Sequence, residues 1–382
     1  MCGRSGGGAV VASVLAVLLA ACRDHGVSSA AADRAASVRR KAALAGMRVW
    51  TRPTTAPSSV DLGVNTPGPG FLDATKDVDC DFRLEPIGGT TPKFHCTLNG
   101  DRVKVKYGTG NPEIPAQVAA SRLLSALGFA VDRMMLVHSV RCHGCPPFPA
   151  QALECLQKGG RSSVCLEGAS PSHVVTFEGA MIERPFPGDP VPDAGPPGWA
   201  WFELDAIDPE AGGSSRAEVD ALRLMAVLLA HWDNKADNQR LVCTPGRLLP
   251  DGSCRTPSAV LHDLGATFGP LKVDLQNWRQ VPTWTDPQQC RVSMATLPFN
   301  GGTFAEHAIS EEGRQLALNL LRPITAAQAN RLFETSGISR YPSVLAAARS
   351  PQSWTDVLLR KIDAIANAGP CTPAAVLHAR GE

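Results

Sequence analysis

The sequence lacks an excess of charge of either sign: 37 lysines and arginines face 36 aspartates and glutamates, for a formal net charge of +1. That balance argues against an electrostatic footprint for nucleic acid, which needs a strongly basic domain or face. No second long apolar run occurs past residue 22, so a membrane-spanning helix, which requires roughly 20 apolar residues, is not expected there. No internal repeat is visible. Close cysteine pairs are also scarce. Only Cys142 and Cys145 stand three apart, and they lack the strand–helix context of a thioredoxin-type redox motif. What is present is a chain of 44% hydrophobic residues, enough for a sizeable core arranged as one large domain or two lobes.

The one long apolar run is at the start. Met1 to Arg4 carries a single positive charge, and every residue from Ala9 to Ala21 is apolar except Ser13. The run closes on Leu19-Ala20-Ala21-Cys22, which is the layout of a cleaved leader, too short and wrongly flanked for a span. It resembles the bacterial lipobox, which implies cleavage before Cys22, a lipid on that cysteine, and an exported protein anchored on the periplasmic face of the inner or outer membrane. Loss of Arg4 with the leader brings the formal charge to zero.

Cysteine usage agrees with export. Setting aside Cys2 and Cys22, the twelve cysteines leave ten, an even number suited to disulfides in an oxidising compartment. Cys80 is expected to pair with Cys96 and Cys243 with Cys254, with further pairing among Cys142, Cys145, Cys155 and Cys165. That last group also has the spacing of a metal knuckle, so zinc stays open as an alternative. Along the chain, residues 1–21 read as the leader and 22–70, Ala-rich then Pro/Thr/Ser-rich, as a flexible tether. Residues 71–190 mix short strands with one helix, and 191–375 carry helical patterns. The Pro/Gly stretch from Pro185 to Gly198 is the expected hinge.

Two helices organise the candidate site. Asn111-Pro112-Glu113 opens the first, with Gly128 just past its end and Ala119, Leu123, Ala126 and Leu127 at helical spacing. Glu113 and Gln117 share a face. Ser215 and Glu218 form a capping box for the second, whose apolar stripe (Val219, Leu222, Met225, Ala226, Leu229) runs into His231. Later helical patterns cover Ala305–Leu321, Ala326–Thr335 and Trp354–Asn367. Directly after the second helix comes the polar cluster His231-Trp232-Asp233-Asn234-Lys235-Ala236-Asp237-Asn238, then an apolar piece, a turn-rich excursion, and Ala259-Val260-Leu261-His262-Asp263-Leu264-Gly265. A strand that ends in Asp and then Leu-Gly places a carboxylate at the mouth of a site.

His231-x-Asp233-x-Lys235-x-x-Asn238 resembles the catalytic loop of the protein-kinase-like superfamily, and Asp263-Leu264-Gly265 resembles its metal-binding D-F-G. The spacing is nearest the atypical branches: secretory-pathway, spore-coat-type and phosphoinositide-kinase-like. Glu113 follows Lys106 by seven residues, 25 residues separate Asn238 from Asp263, and no A-P-E motif follows. The resemblance implies a two-lobed α+β fold, with a small N-terminal antiparallel sheet plus helix and a mainly helical C-terminal lobe. It further implies Mg²⁺ or Mn²⁺ with ATP, and phosphoryl transfer to a hydroxyl acceptor whose identity the sequence leaves open. On this reading Asp233 handles the acceptor hydroxyl, Lys235 the transferred phosphate and His231 the loop. Asn238 and Asp263 would hold the metal. The turn at Gly88 and Gly89 would cover phosphates, and Lys106 (or its neighbour Lys104) would bind them with Glu113 as partner. Met181-Ile182-Glu183 would form the nucleotide hinge. His262 is read as a packing or hydrogen-bonding residue, and Trp278 and Trp284 as core. The competing reading is a catalytically silent, kinase-like binding module of the cell envelope.

Overall fold

The computed structural model describes residues 34–191, 198–250, 253–298, 301–341 and 346–371. The leader, Cys22 and part of the expected hinge lie outside the described residues. The chain is α+β, sheet-rich first and mainly helical afterwards. Its first half runs α1 (34–45), β1 (Asp77–Arg83), β2 (Lys93–Leu98), β3 (Asp101–Lys106), α2 (Glu113–Ala126), β4 (Arg133–Leu136), β5 (Ser139–His143), α3 (Pro149–Gln157), α4 (Ser162–Cys165), β6 (Val174–Glu178) and β7 (Met181–Arg184). The strands form one seven-stranded sheet, in the order β4-β7-β3-β2-β1-β5-β6.

Alternation along β2 and β3 gives the sheet two different faces. Val103 and Val105 pack with Phe94 and Cys96 in an apolar core, whereas Lys104 and Lys106 project from the opposite face. Asn99 and Gly100 close the β2–β3 hairpin with both residues left-handed (φ 52° and 87°), the geometry a two-residue turn prefers. Asn111 opens α2 as expected, its Oδ1 accepting from the Glu113 amide at 3.1 Å. Gly128 ends it at φ 89°, where a Cβ would stand 2.1 Å from the Thr51 carbonyl oxygen, so no side chain fits.

The second half adds β8 (Asp189–Pro190), α5 (Arg216–Leu228), β9 (Gln239–Cys243), β10 (Ser258–Leu261), α6 (Leu275–Gln280), β11 (Arg291–Ser293), β12 (Glu306–Ala308), α7 (Glu311–Leu321), α8 (Ala326–Thr335) and α9 (Pro351–Asn367). The Ser215–Glu218 capping box forms at the start of α5. Trp278 stacks on Trp354 (centroids 5.7 Å apart), with Phe268 and Phe333 around them, so Trp278 is core, as is the buried Trp284. Helix α2 joins the two halves. Ile114 and Val118 meet Met134 and Met181 on the sheet, while Ala119, Leu123 and Leu127 enter the large core of the helical half.

Two expectations are corrected. Residues 305–310 are not helical: they hold β12, and Ser310 caps α7 by accepting from the Gly313 amide. The tether expected over 22–70 is, within the described residues, largely folded. Leu44, Met47, Val49 and Leu62 lie in the large core, Arg48 bridges to Ser258, and the Trp50 indole donates to the Leu127 carbonyl at 2.7 Å. A few correctly spaced apolar residues suffice for burial inside an Ala/Pro-rich composition.

All ten cysteines past Cys22 are paired: Cys80–Cys96, Cys142–Cys145, Cys155–Cys165, Cys243–Cys254 and Cys290–Cys371. The four between Cys142 and Cys165 form two local bridges and do not converge on a metal. Cys243–Cys254 staples the excursion between β9 and β10. Five disulfides suit an oxidising compartment. No helix among the described residues is long and apolar enough to cross a membrane.

Candidate functional site

A cleft of about 820 Å³ lies between the polar sheet face and the helical half, under the β1–β2 turn that contains Gly88 and Gly89. Three distant pieces of chain meet at its back wall. Lys106, fully buried at the end of β3, places Nζ 3.0 Å from Glu113 Oε2 on the first turn of α2 and 3.7 Å from Asp263 Oδ1, just past β10. Gln117, one turn beyond Glu113, donates to Asp263 Oδ1 at 2.6 Å, and the Gly265 amide donates to the same oxygen at 3.0 Å. The Asp-Leu-Gly glycine is required by close approach: a Cβ at Gly265 would fall 2.8 Å from Glu113 Cγ.

Burial alone would lower the Lys106 pKa. The carboxylates of Asp263, Glu113 and Glu183 outweigh it and hold the ammonium above its ordinary value. Burial likewise opposes ionisation of Asp263, but Lys106 and the Gly265 amide leave its pKa well below the usual carboxylate range. Glu113 is shifted the same way, by Lys106 and by Lys272 against desolvation and Asp263. All three groups are therefore charged at neutral pH.

The loop after α5 forms the cleft's other wall. Asp233 and Lys235 face each other at 3.2 Å, and the Asn238 amide nitrogen donates to the Asp233 carbonyl, which leaves its Oδ1 as acceptor. The Asn238 carbonyl accepts from the amides of His262 and Asp263, at 2.9 and 3.1 Å, tying the loop to the Asp-Leu-Gly segment. His231 is buried beside Trp201, and desolvation depresses it to about 4 and keeps it neutral.

Of the residues expected at the site, Lys106, Glu113, Asp263, Asn238, Asp233, Lys235, Gly88 and Gly89 are brought together here. Lys104, the alternative to Lys106, lines the cleft but pairs with Glu183 at 2.5 Å across the β3–β7 ladder. The Glu183 side chain is 3% exposed, with Oε1 accepting from Lys104, and it does not line the cleft. His262 makes a hydrogen bond, as expected, through Nδ1 to Asp132 Oδ2 at 2.7 Å.

Sequence alone did not single out Lys272, whose Nζ lies 2.6 Å from Glu113 Oε1, or Asn234. Asn234 is fully buried, donates to the His231 carbonyl, and accepts from the amides of Thr303 and Phe304, which locks the loop onto the helical half. Its place within the His231–Asn238 cluster was the available signal. Lys272 offered none, being reached through a loop with left-handed residues at 272 and 273.

Two buried histidines and one half-buried one set an acid limit. His231, His95 and His307 are each depressed to about 4, by desolvation first and, for His95 and His307, by nearby arginines next. The unfolded chain takes up these protons near pH 6.5, before the folded state does, so stability falls as pH drops from about 6.5 to 4. For fully buried His231 the loss is on the order of 3 kcal/mol. Melting temperature measured from pH 7.5 to 4 is expected to hold above 6.5 and then decline, and His231→Phe should flatten the decline; a level profile would contradict this.

The sequence matches no family model, and no curated protein matches it. Among solved structures, CtkA, a proinflammatory kinase of Helicobacter pylori, is similar over 76% of this chain and 96% of that one, with 10% identity and a TM-score of 0.40. A likeness that faint carries no weight, and the functional reading rests on the side chains of the cleft.

Proposed function

We propose that the cleft is a phosphotransferase site of the protein-kinase-like type, moving a phosphoryl group from a Mg²⁺-bound nucleotide to a hydroxyl acceptor. The observation that carries this reading is the convergence of Lys106, Glu113 and Asp263 from a strand, a helix and a post-strand turn, opposite Asp233 and Asn238. Glu113 and Asp263 hold the Lys106 ammonium in place, where it would meet phosphate oxygens as a fixed positive charge. Asp263 and Asn238 offer oxygen donors only, a set that suits Mg²⁺ or Mn²⁺. The metal, when bound, would neutralise phosphate charge. Asp233 would orient the acceptor hydroxyl and take its proton, and Lys235 beside it would steady the moving group. The β1–β2 turn would cover the phosphates with backbone amides.

One feature favours the second reading, a catalytically silent binding module. The sheet face two residues from Lys106 carries the Lys104–Glu183 ion pair, with Lys93 and His95 beside it on β2, where a purine would call for apolar surface.

The two readings separate on paired variants assayed by phosphoryl transfer from labelled ATP, water serving as the default acceptor. Lys106→Met should lower turnover at least about 10²-fold, as removal of a fixed transition-state charge does. Lys104→Met should cost far less. No transfer by the wild type with either metal would leave the binding module.

We also propose that Cys22 carries a lipid that holds the chain to the periplasmic face of a bacterial membrane, in keeping with the five disulfides. Cys22→Ser should move the protein from the membrane fraction to the soluble one after cell fractionation. Unchanged membrane retention would count against the anchor.

A further inference from the structure

A second charged pocket lies away from the cleft. Its floor is Arg122 on α2, and it is about 770 Å³ in volume, a size typical of small-molecule sites. Arg122 follows Glu113 by nine residues, two and a half helical turns, so the two side chains leave opposite faces of α2. The pocket is therefore separate from the cleft, and its chemistry is independent of the nucleotide reading.

Arg122 is 2% exposed, yet among the described residues no carboxylate reaches ion-pair distance of it. Nη1 donates to Thr335 Oγ1 at 2.9 Å and Nη2 to Asn65 Oδ1 at 2.8 Å, both neutral acceptors, and Nε has no partner. A buried guanidinium without a carboxylate at ion-pair distance is costly, and desolvation depresses this one to about 10 against the pull of Asp61. Three more arginines line the same pocket: Arg331, Arg340 and Arg349. The lining carboxylates are Asp73 and Glu334, and Asp73 is engaged by the Thr75 amide and hydroxyl. Arg331 also lies 3.6 Å from Asp61 at the pocket's edge, so four guanidinium groups face three carboxylates and leave the pocket with one positive charge in excess. Phe71 and Val64, both solvent-exposed, add apolar surface to the lining.

We propose that this pocket binds an organic phosphate, its oxyanion seated on Arg122 and the other arginines and its carbon body against Phe71 and Val64. A guanidinium is the group suited to phosphate oxygens, through paired N–H donors. Inorganic phosphate alone would underfill the volume. The phosphate could be carried on a free metabolite or on a lipid headgroup, and the probes distinguish the two.

The test uses the oxidised mature protein with Cys22→Ser, which carries no lipid, with phenyl phosphate followed by calorimetry and by thermal shift, and vesicles of phosphatidic acid against phosphatidylcholine followed by co-sedimentation. Phenyl phosphate should bind more tightly than inorganic phosphate. Arg122→Met should weaken it roughly tenfold or more, as loss of a charge-assisted contact does, while Asp263→Asn leaves it unchanged. Because Arg122→Met alters a buried site, Arg331→Gln/Arg349→Gln on the exposed rim serves as a second variant and should weaken binding several-fold. Arg122-dependent binding to phosphatidic acid vesicles, with none to phenyl phosphate, would assign the phosphate to lipid. Binding by neither probe, or binding that both variants leave intact, overturns the proposal.

Discussion

Asp263→Asn is expected to remove the metal-dependent part of nucleotide binding and to lower any phosphoryl transfer by about 10²–10³-fold, while the protein stays folded. Asparagine keeps the shape and an oxygen for Gln117 and Gly265, so the hydrogen bonds to Oδ1 survive. What disappears is the charge facing Lys106 and the hard anionic oxygen a divalent cation would need. Lys106 keeps Glu113, and Glu113 keeps Lys272, so the buried ammonium is not orphaned. The cost to stability should therefore stay within about 1–3 kcal/mol, that of one charged hydrogen-bonding partner. Calorimetric titration of ATP with Mg²⁺ and with chelator, run on both proteins, checks this. Identical titrations would mean Asp263 holds no metal.

The largest expected effect on stability lies elsewhere, at the junction of α5 and α7. Asp220 is fully buried and receives Arg223 Nη1 at 3.2 Å, Arg216 Nε at 2.8 Å and the Ser310 amide at 2.9 Å. Arg223 is also fully buried, and among the described residues its one other carboxylate partner is half-exposed Asp205, at 2.7 Å. Asp220→Ala would leave a buried guanidinium undercompensated and the Ser310 amide, at the cap of α7, without its acceptor. Breaking a buried pair from one side costs about 3–5 kcal/mol. The double variant Asp220→Leu/Arg223→Met removes both charges and should recover part of that loss. Chemical denaturation of the oxidised proteins measures both. A single variant within about 0.5 kcal/mol of wild type would contradict the account.

How much of this was legible in the sequence varied with the range of the interaction. The α2 start at Asn111, the α5 capping box and the strand–Asp–Leu–Gly turn depend on neighbours a few residues away, and each was placed from local pattern. Glu113 and Gln117 could be assigned to one helix face. The pairing of Glu113 with Lys106 came from the motif resemblance, whereas the bond from Gln117 to Asp263 was not legible, since nothing local links residue 117 to residue 263. The pairing of Lys104 with Glu183 was not legible, because it requires β3 to lie beside β7. The anion pocket was hidden for a related reason: its walls come from α2, α8 and a segment read as tether. There, Pro/Ala-rich composition outweighed the few buried apolar residues that decide the outcome.

The central claim is that Lys106, Glu113, Asp263 and Asn238 form a metal-dependent nucleotide site. It is tested most directly by ATP affinity of the oxidised mature protein, measured by calorimetry across a Mg²⁺ titration. Affinity that rises with Mg²⁺ and disappears in Lys106→Met is the predicted result. No heat at millimolar ATP from a folded sample, at any Mg²⁺ concentration, would contradict it.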